Sequence, residues 1–169
     1  MHSLASAALL ALSLLASCAS HEIRHSADFD DLPAAPANTA VRVLQPEDGS
    51  YKDKVTPGSG LLVARRIEQF ASQRYSDVAG ITAPLSNTTE RTLEITPVIH
   101  KWEDRATNWS GKCDQIDIEL RLRDLPSGKS RKLTFEATCA WFTFVNNPPE
   151  DLLDGAFQDA LTELLPELR

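Results

Sequence analysis

Between His100 and Gly111 the chain reads HKWEDRATNWSG, which places a histidine, two carboxylates, an arginine and two tryptophans in one short segment. His100 with Glu103 or Asp104 offers an acid/base or metal pair, the start of a hydrolase or metal-dependent enzyme. The spacing matches no zinc pattern, and no nucleophile stands beside a base. Trp102, Glu103, Asp104, Arg105 and Trp109 also form a candidate binding surface, because tryptophan and arginine are favoured anchors of recognition patches. A structural corner uses the same residues differently. Tryptophan packs under a sheet, Arg105 pairs with Glu103 or Asp104, and Asn108 and Ser110 cap a turn. The position of the tryptophans, outside or inside, separates these readings.

A few elements must hold that segment. Ile116, Ile118, Leu120 and Leu122 alternate with Asp117, Glu119, Arg121 and Arg123. On the return, Leu133, Phe135, Ala137, Cys139 and Trp141 alternate with polar residues. Asp124 to Lys129 is turn chemistry, so the spacing predicts an antiparallel hairpin with one buried face. Matching the apolar faces sets Leu120 opposite Leu133 and Ile118 opposite Phe135, and a one-residue slip would invert the strand.

Val41 to Leu44 and Asp77 to Ile81 are short strand signals, and Leu93 to Ile99 is a third, with Pro97 placing it at an edge or a bulge. A helix is expected from Ser59 or Gly60 to about Arg74, with Val63, Ala64, Ile67, Phe70 and Ala71 on one face. Gly58-Ser59-Gly60 lacks both the dinucleotide fingerprint and the P-loop ending, so it reads as a turn and not a phosphate cradle. A last helix starts at Asn147-Pro148-Pro149 and carries a leucine-rich stripe to Leu165. Strands grouped in this way predict an α+β fold: a mostly antiparallel sheet of four to five strands with two helices packed on one face.

The 169 residues give one core-forming domain, and 42% hydrophobic with 24% charged residues excludes a wholly disordered chain. With 17 Lys+Arg against 24 Asp+Glu, the net charge of −7 argues against a nucleic-acid partner. Leu4 to Ala16 is apolar but shorter than the about 20 residues a membrane span needs, which fits a secretory signal. It runs into Leu15-Ala16-Ser17-Cys18, which resembles the lipobox of bacterial lipoproteins.

The lipobox resemblance implies a signal peptide over residues 1–17, cleavage before Cys18 and a diacylglyceryl thioether on its sulfur. That lipid is the only cofactor-like group expected; no metal is. Ala19 in place of Asp implies outer-membrane sorting, with the domain in the periplasm. Several acyl chains at about 0.8 kcal/mol per buried methylene give effectively permanent attachment. Residues 18–40, rich in Ala, Asp, Pro and Ser, read as a lipidated flexible tether reaching about 75 Å when extended, and residues 41–169 as the domain. His21 and His25 share a metal-compatible spacing but have no third ligand in that stretch. With Cys18 lipidated, Cys113 and Cys139 remain, and an oxidising compartment predicts a disulfide between them. Strict alternation faces the two apart, so the bridge needs a bulge or a strand beginning after Cys113.

A wider resemblance rests on Pro46-Glu47-Asp48-Gly49-Ser50-Tyr51, Gly58-Ser59-Gly60, the Trp102–Gly111 run, the Asp124-Leu125-x-Ser127-Gly128-Lys129 hairpin and Asp151-Leu152-Leu153. Over roughly residues 41–166 these resemble the DUF4823 family, bacterial lipoproteins with a domain of unknown function. The resemblance implies location and architecture but no activity. The expectation is a non-enzymatic accessory or scaffold protein of the envelope, with an envelope protein or glycan as partner.

Overall fold

The hairpin forms in the register that the alternation requires. Strand β7 (Gln115–Asp124) pairs antiparallel with β8 (Ser130–Thr138), with Leu120 opposite Leu133 and Ile118 opposite Phe135. In the computed structural model, which describes residues 20–27, 29–80, 91–104, 114–139 and 148–168, this hairpin is the centre of a larger sheet. The other strands are β1 (Ser20–His25), β2 (Thr39–Val43), β5 (Asp77–Ala79) and β6 (Arg91–Glu103). Their order across the sheet is β1-β8-β7-β6-β2-β5, and β3 (Ser50–Tyr51) with β4 (Lys54–Val55) makes a small separate ribbon. Helices α1 (Ser59–Ser72) and α2 (Ala156–Leu164) bury Val63, Ala64, Ile67, Phe70, Phe157, Ala160, Leu161 and Leu164 in one cluster with the inward strand residues.

The α+β class therefore holds, but the sheet is six-stranded and mixed. β2 lies parallel to both β5 and β6, whereas β6, β7, β8 and β1 run antiparallel. The parallel pair follows from chain order: β2 reaches β5 through α1, and such a crossover returns the chain in the same direction. Pro97 sits within β6, yet β2 pairs with β6 only from Arg91 to Ile95, so the proline stands past the end of that ladder. The C-terminal stripe is broken in two. A 3-10 turn covers Pro149–Leu153, and Gly155 at φ 59° resets the backbone before α2 begins.

The stretch read as a tether belongs to the fold from Ser20 onward. β1 pairs with β8 from Ser20–Thr138 to His25–Leu133, Ile23 and Phe29 lie against the core, and Leu32 and Ala35 are buried within it. Composition misses this because backbone bonds carry much of the attachment: Ser26 N–H donates to the Lys132 carbonyl at 3.0 Å and Asp30 N–H to the Ser130 carbonyl at 2.9 Å. Arg131 extends it, donating from Nε to the Asp30 carbonyl at 2.9 Å and from Nη1 to the Leu164 carbonyl at 3.1 Å.

At the start of α1, Asp48 accepts the Gly58 and Gly60 amides at 3.0 and 2.9 Å, and Ser59 Oγ accepts the Gly49 amide at 2.8 Å. Free amides at a helix N-terminus attract anions, and here the chain supplies its own carboxylate. Gly58 needs its φ of 86°, and a Cβ on Gly60 would stand 2.4 Å from the Pro46 carbonyl oxygen. Gly60→Ala is expected to cost about 1–3 kcal/mol through overpacking, read as a lowered urea midpoint at unchanged slope.

Candidate functional site

The His100–Gly111 segment begins on β6, whose pairing with β7 shifts by one residue between Ile99 and Lys101. A bulge leaves its extra residue out of the ladder, here His100, and returns Trp102 to the inward face opposite Ile116. Trp102 is 1% exposed, inside the core cluster. Gly49 makes that burial possible, since a Cβ there would lie 2.5 Å from Trp102 Cβ. Trp102 is therefore a core residue, and the aromatic platform expected from it is corrected accordingly.

The charged neighbours are separated. Glu103 is 3% exposed, with Lys101 Nζ 3.6 Å from its Oε1, and Lys101 also donates to Gln115 Oε1 at 3.2 Å. Glu103 is thus no surface residue either, whereas Asp104 is exposed. His100 is on the outer side, with Nε2 3.7 Å from Glu119. Arg105, Trp109, Cys113 and Cys18 lie outside the described residues, as do the expected lipid and the expected disulfide. Cys139 exchanges two bonds with Asp114: its N–H donates to the Asp114 carbonyl at 3.0 Å, and its Sγ accepts the Asp114 amide at 3.2 Å.

The quoted motif segments serve separate parts of the fold, since Trp102 and Glu103 pair at the Gln115 end of β7 and the Asp124 turn closes its other end. Asp48 and Gly49 fasten the start of α1 and floor Trp102; Asp124 accepts Ser127 Oγ at 2.6 Å and closes its turn with the Gly128 amide at 2.8 Å. Leu152 and Leu153 are buried. These residues explain themselves as folding devices, so their distinctiveness as a sequence pattern does not need a substrate.

Two clusters of charge lie elsewhere among the described residues. On the outer face, Glu119 meets Arg121 at 2.5 Å, Lys132 at 3.7 Å and His100. Burial acts to raise its carboxyl, but the Arg121 hydrogen bond and the charges of Arg121, Lys132 and His100 outweigh this and hold it below the ordinary value. On the inner face, Arg91 grips Asp124 through Nε–Oδ1 at 3.2 Å and Nη2–Oδ2 at 3.1 Å, and its Nη1 donates to the Pro33 and Ala34 carbonyls. Nearby, Tyr75 donates to the Pro166 carbonyl at 2.9 Å. The parity of the strands is the signal that could have found them: Arg91, Asp124 and Arg131 stand two residues from Leu93, Leu122 and Leu133 and so face inward with them. Among the described residues, no group of three or more His, Cys, Asp or Glu is placed to hold a metal ion.

Burial pushes the Tyr75 hydroxyl up to about 12, against smaller opposing effects of Arg74, Arg91 and Arg131. The unfolded chain releases this proton near 10 and the folded chain later, so stability is complete below about pH 10 and falls as pH rises toward 12. Tyr75→Phe is expected to lose about 1 kcal/mol at neutral pH, the worth of one hydrogen bond. Its urea midpoint should then decline less than that of the parent protein across the alkaline range.

No family model and no curated protein matches the chain. Among solved structures it is similar to the PelC dodecamer from Paraburkholderia phytofirmans, at TM-score 0.56 and 15% identity over 88% of this chain and 99% of that one. A point variant of the same dodecamer gives TM-score 0.51 and 14% identity, covering 87% of this chain and 98% of the other. At that identity the likeness is one of fold.

Proposed function

We propose that this chain is a lipoprotein anchored to the outer membrane through Cys18, with its domain in the periplasm, acting by binding as an accessory or scaffold protein and not by catalysis. We place it with the DUF4823 family on the motifs quoted above. The observation that carries the proposal is Leu15-Ala16-Ser17-Cys18 directly behind the apolar Leu4–Ala16 stretch. Binding is favoured over a hydrolase or metal enzyme built on His100, Glu103 and Asp104, because His100 is paired with Glu119 and Glu103 is buried beside Lys101. The contact segment then narrows to Asp104, Arg105 and Trp109, with an envelope protein or glycan as partner. The likeness to PelC, a dodecamer, makes a second copy of this chain the first protein partner to test.

Mass spectrometry of the protein extracted from membranes tests the anchor. A diacylglyceryl-modified Cys18 at the N-terminus is expected, and an unmodified thiol in a soluble fraction overturns the proposal. Alkylation of the same sample without reductant should leave Cys113 and Cys139 unmodified if they are bridged. Crosslinking in intact cells then identifies what the domain touches, and Trp109→Ala should abolish that capture while leaving the fold intact.

A further inference from the structure

The geometry points to a domain seated directly on the membrane in one orientation, with the sheet end at Ser20, Thr138, Gln115 and Glu103 toward the lipid and the β7–β8 turn away from it. This rests on the proposed lipidation of Cys18 and adds what the sequence alone misjudges, the distance between anchor and fold. β1 begins at Ser20. Two residues of chain span at most about 7 Å, against about 75 Å for the tether expected from composition.

β1 is bound along its whole length, so that short link cannot be extended by peeling without breaking structure. Every residue from Ser20 to His25 is in register with β8. Arg24 pairs with Glu136, and His25 Nε2 lies 2.5 Å from Glu163 on α2 while its ring stacks on Phe29 at 4.4 Å. Arg131 in turn lies 5.0 Å over the Phe29 ring and donates to the Asp30 carbonyl.

The register also fixes which end faces the lipid. Ser20 pairs with Thr138, Thr138 with Gln115, and Gln115 with Glu103, one row across the strands. From Thr138 back to Ser130 the hairpin rises about 27 Å at roughly 3.4 Å per residue, and its turn lies farther still. With a net charge of −7 the chain has little attraction to anionic headgroups, so the covalent anchor and the stiffness of β1 set the geometry.

The test uses the full lipidated chain in vesicles of phosphatidylethanolamine and phosphatidylglycerol carrying a headgroup-attached nitroxide quencher. A fluorescent non-canonical residue replaces Asp104 or Ser127, both exposed. Strong quenching at 104 and almost none at 127 is expected. Insertion of a twelve-residue Gly/Ser linker between Ala19 and Ser20 should remove the difference without lowering thermal stability. Equal quenching at 104 and 127 in the unextended chain, or stronger quenching at 127, overturns the orientation. The mass of the Cys18 peptide from the same vesicles separates the two failures: lipid present with equal quenching defeats the seated orientation alone, whereas lipid absent defeats the anchor and the orientation with it.

Discussion

Arg91→Ala is expected to remove about 3–5 kcal/mol of stability, because it strands the Asp124 carboxylate inside the fold. Arg91 and Asp124 are 10% and 4% exposed at the side chain, and they meet through two parallel hydrogen bonds. For a chain of this length that loss lowers the melting temperature by the order of 10 °C. Arg91→Lys should recover little, since an ammonium keeps the charge but cannot supply the fork and the donors to Pro33 and Ala34 together. Asp124→Leu combined with Arg91→Met should regain part of the loss, because an apolar pair avoids the desolvation of both charges. Full recovery is not expected: the Pro33 and Ala34 carbonyls would still lack their donor. Hydrogen exchange gives the local readout, with protection falling first around Leu32 and Ala35 in the single variant.

That cluster marks where sequence reading stopped short. The hairpin register was legible because two runs of strict alternation and a turn of fixed length leave one solution. The face of α1 and its start at Ser59 were legible for similar local reasons, with Gly58 at the N-cap. The N-terminal segment was not, since β1 is an edge strand whose side chains other than Ile23 stay exposed, and its partner β8 lies more than a hundred residues away. The parallel placement of β2 was obscured because the β2–α1–β5 unit is interrupted by the β3–β4 ribbon and its return strand is short. At the candidate site, residue types were a poor guide to place. Trp102, Glu103 and Asp104 are consecutive, yet a bulge at His100 and the close approach of Gly49 put the tryptophan in the core, the glutamate is buried on the opposite face beside Lys101, and the aspartate is exposed.

Trp102→Ala is expected to be as damaging as any change in the motif, at about 3–5 kcal/mol, for loss of apolar contact and for the cavity left behind. The indole Nε1 has no hydrogen-bond partner among the described residues, so packing and not polar recognition holds the ring. Trp102→Phe should therefore cost less than Trp102→Ala, keeping an aromatic plane against Gly49 at reduced volume. Emission spectroscopy gives an independent check: in the parent protein one component should be blue-shifted and resist acrylamide, and both variants should lack it. The decisive comparison sets folding against function. If Trp102 acts only from the core, capture of a partner by Trp102→Ala should fall in proportion to the folded fraction and return when that fraction is restored at lower temperature. Trp109→Ala should behave in the opposite way under the proposed contact role, leaving the urea midpoint nearly unchanged while capture is lost. A Trp102→Phe protein that is fully folded yet captures nothing would place recognition at the indole itself and contradict its assignment to the core.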